Sequence, residues 1–178
     1  MFTKIKCQDG TIERADISKM EFIPNGMYGL FEKLMPKNGE ETVTTIANSS
    51  YHTQRPHMNK IQSDEFKYPV VYRVHKDGSL DFWYSNTNQK GHFGISKLIW
   101  SSGRCISVGS HIDEKGELGL NQFNYAIVED VKNLPFVKKA FDSKEFRALM
   151  ENCEVSDMEI NSKVIDLFRK DFWKEFLY

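Results

Sequence analysis

Tyr68-Pro69-Val70-Val71-Tyr72-Arg73-Val74-His75, then Lys76-Asp77-Gly78-Ser79, then Leu80-Asp81-Phe82-Trp83-Tyr84 sets two β-branched and aromatic runs on either side of an Asp-Gly pair. Only a tight turn with φ above zero suits that pair, so the segment predicts a β-hairpin. Downstream, Ile95 to Trp100 and Phe123 to Val128 predict two further strands, the second with Phe123, Tyr125 and Ile127 at period two. Upstream, Thr42 to Ala47 is strand-like, and 48–63 is polar enough to predict a long loop. Met27, Leu30, Phe31, Leu34 and Met35 follow the stripe of an amphipathic helix, with Asn25 as a cap and Pro36 and Asn38-Gly39 as its end. Asp9-Gly10 predicts a short N-terminal hairpin.

Past Asp130 the apolar residues fall on helical stripes: Leu134, Val137 and Phe141; Phe146, Leu149 and Met150; then Val164, Leu167, Phe168, Phe172 and Phe176. Strands followed by helices, without strict alternation, predict an α+β fold with a central, mostly antiparallel sheet, an N-terminal helix and a C-terminal helical cap over 131–178. The expected organisation is one domain with a possible subdomain at 1–47.

The composition is that of a folded chain: 178 residues, 40% hydrophobic and 28% charged. Its 24 Lys+Arg against 25 Asp+Glu leave a formal charge of -1, so any site for a polyanion must be a local patch. Cys7, Cys105 and Cys153 are odd in number and far apart, which suits neither a disulfide framework nor a paired zinc site. They imply a reducing interior, and the charged N-terminal segment lacks the apolar run of a signal peptide. The expectation is a soluble, unsecreted cytoplasmic protein, away from membranes.

Dinucleotide, P-loop and nucleophile-elbow motifs are missing, and none of the five histidines has the helical spacing to a Glu that a catalytic zinc needs. Glu65-Phe66-Lys67 fits the short metal-nuclease pattern, with Glu65 as ligand and Lys67 steadying water; Asp113-Glu114-Lys115-Gly116 reads better as a solvated turn. The loop Tyr84-Ser85-Asn86-Thr87-Asn88-Gln89-Lys90-Gly91-His92 carries amides that can pair with adenine and a lysine that can meet guanine or phosphate. It reads equally as a polar connection that binds nothing.

Five ordered blocks carry a resemblance. They are Phe66 to Tyr72; Tyr84-Ser85-Asn86-Thr87 with Lys90-Gly91-His92-Phe93-Gly94; Lys97 to Gly103; Ile112 to Gln122; and the strand Tyr125 to Val128. In this order they resemble the target-recognition region of adenine-specific DNA methyltransferases of restriction-modification systems and their giant-virus relatives, with 66–130 as the recognition-like part. Ala140 to Phe146 resembles the short helix entry that closes such regions. The Pro-Pro-aromatic motif that reads a flipped adenine is absent, since Pro24, Pro36, Pro56, Pro69 and Pro135 are isolated. The resemblance therefore implies the reading half alone, with no cofactor of its own: S-adenosylmethionine would sit on a separate or missing catalytic domain. Its implied partners are double-stranded DNA and a catalytic methyltransferase or nuclease chain.

Lys90, His92, Lys97 and Arg104 are expected to gather at a basic rim, with Asn86 and Asn88 as base readers, Arg55, His57 and Lys60 as a second wall, and acidic residues such as Asp113 and Glu129 elsewhere. Two other readings remain: a Mg2+-dependent nuclease, and a partner-binding domain docking through its C-terminal helix.

Overall fold

The computed structural model describes residues 2–6, 10–16, 26–47, 50–102, 109–153 and 160–177. It is an α+β fold. The decisive hairpin forms as β5 (Tyr68–Val74) and β6 (Leu80–Ser85) around Gly78, whose φ of 83° only glycine adopts freely. The Asp77 carboxylate accepts from Ser79 N at 2.9 Å and closes the turn.

Among the described residues, ten strands make three sheets. β1 (Phe2–Lys6) and β2 (Ile12–Asp16) pair as the N-terminal hairpin, with most of its turn outside the described residues. β3 (Thr44–Ala47), β10 (Asn124–Val128), β7 (Lys97–Ser101) and β8 (Ser110–Asp113) form one antiparallel sheet in that spatial order. β4 (Met58–Asn59), β6, β5 and β9 (Gly119–Leu120) form the third, antiparallel except for β5 with β9.

Side-chain alternation along β7 and β10 shows how the layers stack. Leu98, Trp100 and Ile127 join a core with Phe31, Val137, Phe141, Phe146 and Phe172, whereas Ile99 and Ala126 join Val71, Val74 and Leu120 of the third sheet. The β7 sheet thus lies between a helical layer and a second sheet, and every residue of β7 is buried. α1 (Tyr28–Leu34) enters this main core through Phe31 and Leu34, as does Val43 just before β3, whereas Ile46 of β3 packs against the second cluster; Asn25 lies outside the described residues.

At the β-bulge between Val71 and Arg73 the ladder loses its regular pairing. Side chains from the neighbouring sheet take over the freed groups. Asn124 Nδ2 donates to Val71 O at 2.7 Å, Ser101 Oγ accepts from Val74 N at 2.7 Å, and Ser101 Oγ donates to Asn124 Oδ1 at 2.7 Å. With no partner these buried groups would each cost roughly 1–3 kcal/mol, so the network fastens one sheet to the other.

The helical cap is α2 (Leu134–Phe141), α3 (Lys144–Asn152), α4 (Ser162–Ile165) and a 3-10 turn at Phe172–Phe176. The expected continuous last helix is interrupted. Arg169 N donates to Leu34 O at 2.7 Å and Lys170 N to Glu41 O at 2.8 Å, so this backbone pairs with the α1–β3 connection instead of with its own preceding turn. Phe168, Phe172 and Phe176 are nonetheless buried in the chain's own core. Among the described residues, no helix is long and apolar enough to cross a membrane.

Candidate nucleic-acid interface

The loop predicted over 48–63 is not mere connection. It holds β4, and Tyr51 is fully buried with Met58, Val70, Trp83 and Phe93 around it. Tyr51 Oη donates to Thr87 O at 2.8 Å and accepts from Lys90 N at 3.3 Å, joining 50–57 to 86–90. Burial pushes its phenol above the ordinary tyrosine value, opposed by the Lys90 backbone bond, so the hydroxyl remains a donor at neutral pH. Gly91 follows at φ 79°, and a Cβ there would stand 2.3 Å from Tyr51 Cε2. His57 Nε2 lies 3.0 Å from Ser50 O, and Asn86 N donates to His57 O at 3.2 Å.

Between the two joined segments runs a cleft of about 470 Å3 lined by Tyr51, Arg55, His57, Thr87, Gln89 and Lys90, among others. Arg55 and Lys90 are exposed, and neither forms an ion pair among the described residues. In the cleft beside Glu41 and Asp130, Arg169 pairs with Asp171 and Glu175, and Lys170 with Glu41. The cleft at the β8 edge sets Lys115 beside Glu114 and Glu117, and its Asp113 is already paired with Lys97, so it offers a polyanion no excess of cations.

Of the expected site residues, Arg55 and Lys90 therefore meet, with His57 beside them. Asn86 and Asn88 are exposed on the same loop as Lys90 but are not among the residues lining the cleft, and Lys60 is exposed just after β4. His92 sits at φ 61° with Nε2 2.8 Å from Ala47 O, bracing the loop against β3. Arg104 lies outside the described residues.

Lys97 is a correction. Its side chain is fully buried; Nζ donates to Asp113 Oδ2 at 2.5 Å and to His92 O and Ile95 O, both at 3.1 Å. It can touch no phosphate. Burial pushes its ammonium below the ordinary lysine value, with the bond and charge of Asp113 opposing. Asp113 is equally a correction to the solvated turn and to the acids kept apart from the cations. It is buried and accepts from Glu117 N and Leu118 N at 3.0 and 3.1 Å, while Glu114 and Lys115 are exposed.

Thr87 and Gln89 belong to the amide-bearing loop read from the sequence, whereas Tyr51 is not legible there as a site former, because a tyrosine in a polar stretch gives no local sign of a partner 36 residues away. Glu65 and Lys67 are exposed ahead of β5, and among the described residues no three His, Cys, Asp or Glu side chains cluster as metal ligands would. Compared with models of known protein families, with curated proteins and with solved structures, the chain matches none.

Proposed function

We propose that the chain is a DNA-binding target-recognition module that reads duplex DNA and performs no chemistry alone, working with a methyltransferase or nuclease chain that binds any S-adenosylmethionine. It would do so in the cytoplasm of a bacterial or virus-infected cell. The observation that carries the reading is that Arg55 and Lys90, neither with an acidic partner among the described residues, line one cleft walled by Gln89 and Thr87 and stiffened by the buried Tyr51. Two unpaired cations give a backbone-positioning contact, and amides on the same loop give a means of telling bases apart. A net charge of -1 leaves little non-specific attraction to mask such a patch.

A mobility-shift titration of the full chain against random duplexes at two salt concentrations tests it. Binding that weakens with salt supports the reading; no binding at low salt overturns it for the isolated chain.

A further inference from the structure

The bulge in β5 turns more than backbone. By alternation Tyr68, Val70 and Tyr72 face away from the β7 sheet, and the extra residue brings Arg73 opposite Asp81. The Tyr72 ring lies 6.3 Å from Trp83 on β6 and 6.2 Å from Phe123, which remains 42% exposed in the turn before β10. Asn121 Oδ1 accepts from Phe123 N at 2.8 Å and from Asn124 Nδ2 at 2.6 Å, so the inter-sheet network also fixes this turn. At the other end of β5, Lys67 Nζ stands 5.2 Å from the Tyr68 ring. Tyr68 and Tyr72 are four residues apart, about 13 Å along a strand. Lys67 and Arg73 are exposed and form no ion pair among the described residues, and the carboxylate opposite Arg73, Asp81, is held by His75 Nε2 at 3.0 Å.

Rings half open to solvent with unneutralised cations at both ends suit a ligand that is flat, apolar on its faces and anionic along its backbone. We propose that this outer sheet face binds single-stranded nucleic acid, stacking unpaired bases on Tyr72, Trp83 and Phe123 while Arg73 and Lys67 meet the phosphates. Stacking tolerates any base because each has a π-face. The strip shares no residue with the Arg55–Lys90 cleft, so the proposal does not depend on duplex binding.

Fluorescence-anisotropy titrations of the full chain with labelled oligothymidylate and oligouridylate, each of about 20 nucleotides and so longer than a one-domain site of roughly 4–16, are the test. Binding is expected to at least one, the preference identifying DNA or RNA. Phe123→Ala and Tyr72→Ala should each weaken it about 5- to 100-fold, and Arg73→Gln should flatten the log affinity against log salt plot by about 0.7. Melting curves of Phe123→Ala should stay close to wild type, because that ring is 42% exposed and lies outside the buried core. Failure to bind either oligomer at low salt, or unaltered affinity in both aromatic variants, overturns the proposal. Self-association abolished by Phe123→Ala without oligomer binding also overturns it and assigns the face to a second copy. The double variant Arg55→Ala with Lys90→Ala should bind the single strand as wild type does; a chain that binds the oligomers but no duplex fails the duplex reading alone.

Discussion

Lys97 and Asp113 are directly opposed across β7 and β8, and their charged atoms meet at 2.5 Å with both side chains sealed from water. The pair holds three regions at once. Lys97 fastens the carbonyls of His92 and Ile95, and Asp113 fastens the amides of Glu117 and Leu118. Lys97→Met keeps much of the volume but leaves a buried carboxylate without its cation, a loss of about 3–5 kcal/mol. At 2–4 °C per kcal/mol for a chain of this size, thermal unfolding should fall by roughly 10 °C. Adding Asp113→Leu should recover only part of it, because four backbone groups then lack their side-chain partners. A double mutant that melts like wild type would show that the pair fastens nothing.

Phe172 is fully buried in the 3-10 turn, its ring 5.8 Å from Phe168 and 5.9 Å from Phe146. Phe172→Ala should cost about 3–5 kcal/mol in chemical denaturation, the range for removing a core aromatic ring. A variant of unchanged stability would mean that this ring is not core.

What the sequence revealed and what it hid divide by the range of the interaction. Asp77-Gly78 determines its hairpin locally, and α1 and α2 announce themselves by apolar spacing. Phe123 shares the period of Tyr125 and Ile127, yet it falls in the turn, where the Asn121 side chain takes its amide. Lys97 reads as surface because lysine almost never goes fully inside unpaired. The sequence predicts a strand over Ile95 to Trp100, but the partner of Lys97 lies sixteen residues on, across a register that only the folded sheet defines. The last helical stripe predicted a longer helix than forms, because pairing of Arg169 and Lys170 with Leu34 and Glu41 is invisible to periodicity.

Cys153 is buried at the end of α3, and burial pushes its thiol up from 9.0 to about 12. Between those values the unfolded chain has lost this proton while the folded chain keeps it. The contribution is fully present below pH 9 and is lost as pH rises towards about 12. Wild type should therefore lose stability faster than Cys153→Ala over that alkaline interval. At neutral pH, iodoacetamide labelling of Cys153, mapped by mass spectrometry, should follow unfolding; rapid labelling of native protein would contradict its burial.

Arg55 and Lys90 reach their shared cleft from segments that Tyr51 ties together, so their joint effect on duplex binding separates a phosphate site from scattered surface charge. Each phosphate contact contributes about 0.9 to the slope of log affinity against log salt. Arg55→Ala with Lys90→Ala should reduce that slope by about two units, and each single variant by about one. Lys97→Met is the counter-test: its ammonium is already neutralised inside the fold, so among molecules that remain folded the slope should not change. Gly91→Ala approaches the same cleft from beneath, since its Cβ would strike the Tyr51 ring and its φ is one that alanine rarely adopts. It should weaken duplex binding without removing any charge, by shifting Lys90, and so lower affinity more than it lowers the slope. Salt slopes that are equal in wild type and the double variant would remove this cleft from the DNA interface whatever the affinity of the whole chain.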